Sequence, residues 1–163
     1  MPESLRTRLE RLAFGLFPAY AGTGARIRYI AADWREVRLE LPLGWRTRNY
    51  VGTIFGGSMY AAVDPIYMLM LIRNLGPDYV VWDKAASIRF LKPGRGTLSA
   101  RFTLEEAELD AIRAALRTER SVDRSYAVEL TDATGTPHAR VEKLLYVRRR
   151  EPRARAPDLR ASP

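Results

Sequence analysis

The sequence predicts an α+β protein in which an antiparallel sheet wraps around one central apolar helix, with an extra N-terminal helix and a short helical insert. Three observations carry this. Between residues 49 and 72 the only charged residue is Asp64, so a helix there has no face suited to water and must be enclosed on most sides. On both flanks of that segment apolar residues recur at alternate positions, the period of a strand with one buried face. With 163 residues, 47% of them hydrophobic and 28% charged, the chain has the length and balance of one domain with a substantial core. Residues 1–149 are expected to form that domain and 150–163 a flexible basic tail.

The elements follow in order. Leu5, Leu9, Leu12, Ala13, Leu16 and Phe17 form a stripe of helical period, bounded by Pro2 and Pro18, which predicts an amphipathic helix over about 3–17 laid on the sheet. Charges on its other face distinguish it from a signal peptide. Ile27 and Tyr29, then Val37, Leu39 and Leu41, predict two antiparallel strands joined near 32–35, and Gly44, Asn49 and Gly52 mark a loop. The central helix is expected over about 56–75. It does not read as a membrane span, because Gly56, Gly57, Ser58 and Pro65 interrupt it and a mid-span Asp64 would cost about 3 kcal/mol. Strand-like runs at 79–91 and 97–104 flank KPGRG, a tight turn, and runs at 126–131 and 139–147 flank the hairpin turn DATGTP. Between these pairs, Thr103 and Glu106 fit a capping box, while Leu109, Ile112 and Leu116 share one helical face. This insert is expected as an exposed helix covering a sheet edge.

Composition excludes several chemistries. The absence of cysteine removes disulfides, thiolate zinc sites and cysteine nucleophiles, and suits a reducing cytoplasm. One histidine, His138, cannot make a two-histidine metal motif, and neither a Walker loop nor GxGxxG, HExxH or GxSxG is present. No metal or resident cofactor is therefore expected. The net charge is +8, but arginines 148, 149, 150, 153, 155 and 160 stand against only Glu151 and Asp158, so the excess is concentrated at the C-terminus. That end reads as a solvated tail, and specific nucleic-acid binding is not expected. Binding through the tail would show a steep salt dependence, lost on truncation after Val147.

Asn49, Gly52, the triplet Phe55-Gly56-Gly57 and Asp64 resemble the signature of hotdog-fold acyl-CoA thioesterases of the phenylacetate-degradation type. There an asparagine precedes a His-Gly-Gly turn by six residues and an acidic residue follows the histidine by nine. The spacings from Asn49 to Phe55 and from Phe55 to Asp64 match both. IRFLKPGRG resembles that family's strand ending in a Pro/Gly turn, and LTDATGTPHARVEKLLYV its last hairpin, so the likeness spans roughly 25–148. DKAASIRFLKPGRG is similar, more closely still, to a branch of that superfamily catalogued as a domain of unknown function. The resemblance implies a hotdog fold, a homodimer or dimer of dimers with its site at the subunit interface, and an acyl-CoA substrate. Coenzyme A then enters only as part of the substrate.

One position departs from the pattern: Phe55 stands where the family has histidine, and His138 lies in the last hairpin. Histidine-dependent hydratase chemistry is thereby disfavoured, whereas hydrolysis by a carboxylate and backbone amides remains open. In the family register Asp64 is base or nucleophile, and the Gly56 and Gly57 amides at a helix start are oxyanion donors. Asp-Pro is equally a good capping pair, so Asp64 has a second reading as the cap of a helix starting at Pro65; if the helix starts earlier, Pro65 kinks it. Asp83 falls where relatives place a water-positioning serine or threonine. It is either a second acid, whose proximity would raise one carboxyl pKa, or an ion-pair partner of Lys84 or an arginine.

Asn49 either positions substrate or caps the following turn, and Ser58, beside Phe55 at the substrate position, reads as a helix-start hydroxyl. Arg89, Lys92 and Arg95, with Arg46 and Arg48, are candidates for the phosphates of coenzyme A. Met59, Tyr60, Tyr67 and Met68 line an acyl tunnel or belong to the core. The alternative function is a non-catalytic acyl-binding module, suggested by Phe55.

Overall fold

A computed structural model describes residues 1–151, so the expected basic tail lies outside the described residues from 152 onward. Six strands form one antiparallel sheet: β1 (Arg26–Ile30), β2 (Glu36–Leu41), β3 (Tyr79–Phe90), β4 (Leu98–Thr103), β5 (Ser121–Thr131) and β6 (Pro137–Arg149). Their spatial order is β1-β2-β4-β5-β6-β3. The two strands beside KPGRG do not pair with each other. β3 runs along the outer edge beside β6, and β4 lies between β2 and β5. The expected tight turn is therefore a crossover from the sheet edge to its middle.

The helix against the inner face of the sheet is broken in two, α3 (Gly56–Val63) and α4 (Ile66–Leu75), counted after α1 (Leu5–Leu16) and α2 (Pro18–Ala21). The break falls at Asp64–Pro65, where proline offers no N–H to the turn before it. The buried Tyr20 hydroxyl reaches the joint and donates to the Ala62 carbonyl at 3.0 Å. Alternate residues of the strands, such as Leu39, Phe102, Val141 and Leu145, close on Ile66, Met70 and Leu71 in a single core. Among the described residues no helix is long and apolar enough to cross a membrane.

α5 (Glu106–Ala115) differs from expectation in place and in cap. β4 and β5 meet only at Ser99 and Thr131, and α5 packs against α4, burying Leu109, Ile112 and the following Leu116 in the common core. It fills an interior gap rather than covering an edge. Thr103 ends β4 and is unavailable as a cap, while Glu106 turns to Arg35 and Arg113. Helix α1 is also reversed in orientation. Thr7 is buried and Phe14 half-buried, whereas Leu5, Leu9, Leu12 and Leu16 face outward.

Candidate active site

Asp64 ends α3 with its backbone N–H on the Tyr60 carbonyl, and its side chain does not cap α4. Instead Oδ1 accepts the Tyr60 hydroxyl at 2.7 Å and the Lys143 ammonium at 2.5 Å. Lys143 also reaches Asp83 at 2.8 Å and lies 5.4 Å from the centre of the Tyr60 ring. Two carboxylates from α3 and β3 thus converge on one lysine from β6. The site holds the second acid of the sequence reading, with a cation interposed. Lys84, the partner considered for Asp83, pairs with Asp123.

A bulge produces this convergence. In β3 the register against β6 shifts between Asp83 and Ala85. Counting back from the half-buried Ile88, strict alternation would turn Ala86 and then Lys84 inward. The extra residue reverses the parity, so that Val81 and Asp83 face the helix instead. Lys143 itself occupies an inward position of β6, between buried Val141 and Leu145.

Lys143 has a side chain only 1% exposed, against 41% for Asp64 and 29% for Asp83. Burial opposes its charge, but the hydrogen bonds and attraction of the two carboxylates outweigh that penalty and hold its pKa above the usual lysine value. Tyr60 is also shifted upward, first by burial and then by donating to Asp64, with Lys143 acting against both. The consequence for Asp64 is asymmetric: Oδ1 is pinned by two donors, while no described residue binds Oδ2. Asp64 is thus a half-exposed carboxylate with one oxygen held by two donors.

The other group of candidates lies at the opposite end of α3. A cleft of about 360 Å³ is lined by Asn49, Ile54, Gly56, Met59, Phe90 and Lys92, among others. The first N–H groups of α3 have no intrahelical acceptor, and Phe55 supplies no side-chain cap. Both glycines sit under aromatic rings. A Cβ on Gly56 would stand 2.7 Å from Phe90 Cζ, and one on Gly57 would collide with the Phe55 ring. Asn49 is occupied locally, accepting from the Val51 and Thr53 amides and donating to Thr53 Oγ1. It shapes the cleft wall through the turn that it holds. Ser58 is buried within the first turn.

Of the basic candidates, Lys92 lies on this cleft, whereas Arg89 and Arg95 are exposed outside its lining. Arg46 belongs to a different cleft, donating to the Ala21 carbonyl. Met59 lines the cleft, and Tyr67 is a core residue stacked against Tyr126. His138 is held between the Pro93 carbonyl and Asp132, within the last hairpin and its neighbouring loop. Along the helix axis, Gly56 and Asp64 are separated by about 12 Å.

No curated protein matches the chain in sequence. Solved structures do match in fold. A Pseudomonas aeruginosa protein described as a "probable thioesterase" aligns with TM-score 0.78 and 20% identity over 92% of this chain and 99% of that one. A Haemophilus influenzae thioesterase aligns at 0.66 and 17%, covering 90% of this chain and 94% of that one. Mouse thioesterase superfamily member 2 gives 0.62 and 16%, covering 88% and 98%. These likenesses show the hotdog fold: a sheet wrapped around the broken helix α3–α4. The family model described as a domain of unknown function, DUF4442, matches residues 6–147, and the chain belongs to that family.

Proposed function

We propose that this protein hydrolyses an acyl-CoA or acyl-carrier thioester in the cytoplasm, with Asp64 as its base. The observation that carries the reading is the Asp64 carboxylate itself, anchored at Oδ1 by Tyr60 and Lys143 and open at Oδ2. Asp64 Oδ2 takes a proton from water as the oxygen attacks the thioester carbonyl carbon. The Gly56 and Gly57 amides stabilise the oxyanion that forms. Collapse of the tetrahedral intermediate breaks the carbon–sulfur bond, and the proton on Asp64 leaves with the thiolate. Direct attack by Asp64, giving an acyl anhydride that water then cleaves, uses the same oxygen. Asp83 holds Lys143 from the other side and faces the same water. Lys92, on the cleft beside Gly56, meets coenzyme A phosphate, with Arg89 and Arg95 further out on the rim.

The site is completed by a second copy of the chain, as in the hotdog thioesterases that the sequence resembles. Within one chain Gly56 and Asp64 lie at opposite ends of α3. The twelve-residue edge strand β3, unpaired on its outer side among the described residues and carrying Asp83, offers the place for the partner. Asp64 of one copy then works with the amides of the other in a homodimer, or in a dimer of dimers.

Asp64→Asn should abolish hydrolysis across a panel of acyl-CoA thioesters while circular dichroism remains unchanged; full turnover in that variant refutes the assignment. The thermal-shift arm of the same panel separates the alternative. Stabilisation by acyl-CoA without release of free thiol from the wild type assigns a binding module, the reading that Phe55 favours.

A further inference from the structure

Helix α1 is built with its polar side inward. At 100° per residue, Leu5, Leu9, Leu12 and Leu16 fall within about 60° of arc, opposite Thr7, Glu10 and Phe14. These leucines are 81%, 67%, 54% and 81% exposed, and Phe17 just beyond them is 60% exposed. The orientation is fixed by specific bonds. Glu10 accepts from the Trp34 indole at 2.8 Å and pairs with Arg73 at 3.2 Å, while Glu3 pairs with Arg11 and accepts from the Ile30 amide. Rotating the leucines inward would break all of these contacts, so the apolar face is presented outward by construction.

The setting of the stripe is cationic. Arg6 and Arg8 flank it on either side, and both are exposed, Arg6 sharing Glu10 at 3.2 Å. At the C-terminal half of the helix, Gly15 shares a cleft with Arg26, Arg46 and Trp45. The Trp45 side chain is 89% exposed, with the Arg46 guanidinium 5.8 Å from its ring centre. Leucine, phenylalanine and tryptophan bordered by arginine form the pattern of a helix lying in the boundary between lipid headgroups and acyl chains.

We propose that α1 and Trp45 dock this protein on the surface of an anionic lipid bilayer. A second copy fits less well. A twelve-residue helix offers a footprint on the order of 200 Å², against about 800 Å² per partner in a stable pair. A chain of net charge +8 is also attracted by acidic headgroups. α1 packs on β1, at the opposite edge of the sheet from β3, so pairing through β3 leaves this face free. The inference is independent of the reaction proposed above.

The test is co-sedimentation of the full chain with vesicles of equimolar phosphatidylglycerol and phosphatidylcholine, and with vesicles of phosphatidylcholine alone. The wild type should partition to the anionic vesicles and be released as salt is raised. The double variant Leu9→Glu/Leu12→Glu should bind at least tenfold less with an unchanged melting temperature, because both residues lie outside the core. Three results would overturn the proposal: no sedimentation of the wild type, equal sedimentation of the double variant, or an oligomer seen by light scattering that the double variant dissociates. The second would assign vesicle binding to other basic segments, and the third would assign the stripe to a second copy.

Discussion

Replacing Lys143 with methionine keeps the apolar volume of a side chain that is 1% exposed and removes the charge that joins two carboxylates. Breaking a fully buried pair costs about 3–5 kcal/mol, whereas an exposed pair contributes about 0–1 kcal/mol. Asp64 and Asp83 are 41% and 29% exposed, so water takes over part of what the ammonium supplied, and the loss should be about 2 kcal/mol. For a chain of this size that lowers the melting temperature by about 4–8 °C, measurable by calorimetry or circular dichroism. The pH dependence has a definite sign. The folded pKa of Lys143 lies above its unfolded value, so its stabilisation is complete below about pH 10.4 and is lost as pH rises through the folded value. The gap between wild type and variant should therefore be flat through neutral pH and close in strong alkali. A variant as stable as wild type at pH 7, or a gap that closes between pH 6 and 9, would refute the argument. Turnover should fall with the charge, since Oδ1 of Asp64 loses one of its two anchors.

Gly56→Ala should leave stability within about 0.5 kcal/mol, because the Phe90 ring it displaces is 57% exposed. It should nevertheless lower kcat/KM by about tenfold or more, as the methyl and the shifted ring crowd the amides; adding Phe90→Ala should restore part of the rate. Ile112→Ala, at a position with no exposure, should cost about 2–5 kcal/mol in denaturant unfolding if α5 belongs to the core; a loss below 0.5 kcal/mol would make it a detachable cover. Glu108 accepts from Arg124 and Tyr126, and the guanidinium holds its carboxyl below the usual range. Its contribution is present above the unfolded value near 4.3 and is lost as pH falls through the folded one. Glu108→Gln should thus destabilise by about 1–2 kcal/mol at pH 7, with wild type and variant converging in acid.

Much of the architecture is legible in the sequence because burial is written into periodicity. The alternation of Val37, Leu39 and Leu41 fixes the inner face of β2, and an apolar stretch broken only by Asp64 can only be the enclosed helix. The order of strands is not local information: nothing in KPGRG tells whether its two strands pair or part. The stripe on α1 shows the converse limit. Its period correctly gives a helix, yet which face meets the protein depended on Glu3 and Glu10 finding Arg11, Arg73 and Trp34. In the site, Asp64 and Asp83 could be singled out as isolated acids, but the bulge that turns Asp83 inward has no sequence mark. Lys143 was missed although a signal existed. Among Ala139, Val141, Leu145 and Val147, it is the one charged residue on the inward beat of β6.

The outer edge of β3 also has a consequence for how the protein is handled. The outward-pointing backbone groups of this twelve-residue strand are available to any extended segment, including those of half-folded neighbours. The kink at residues 83–85 and the exposed Lys84 and Arg89 are the features that discourage such adhesion. Recovery on refolding should consequently fall as salt is raised, where those charges are masked, and improve on dilution, which separates half-folded neighbours.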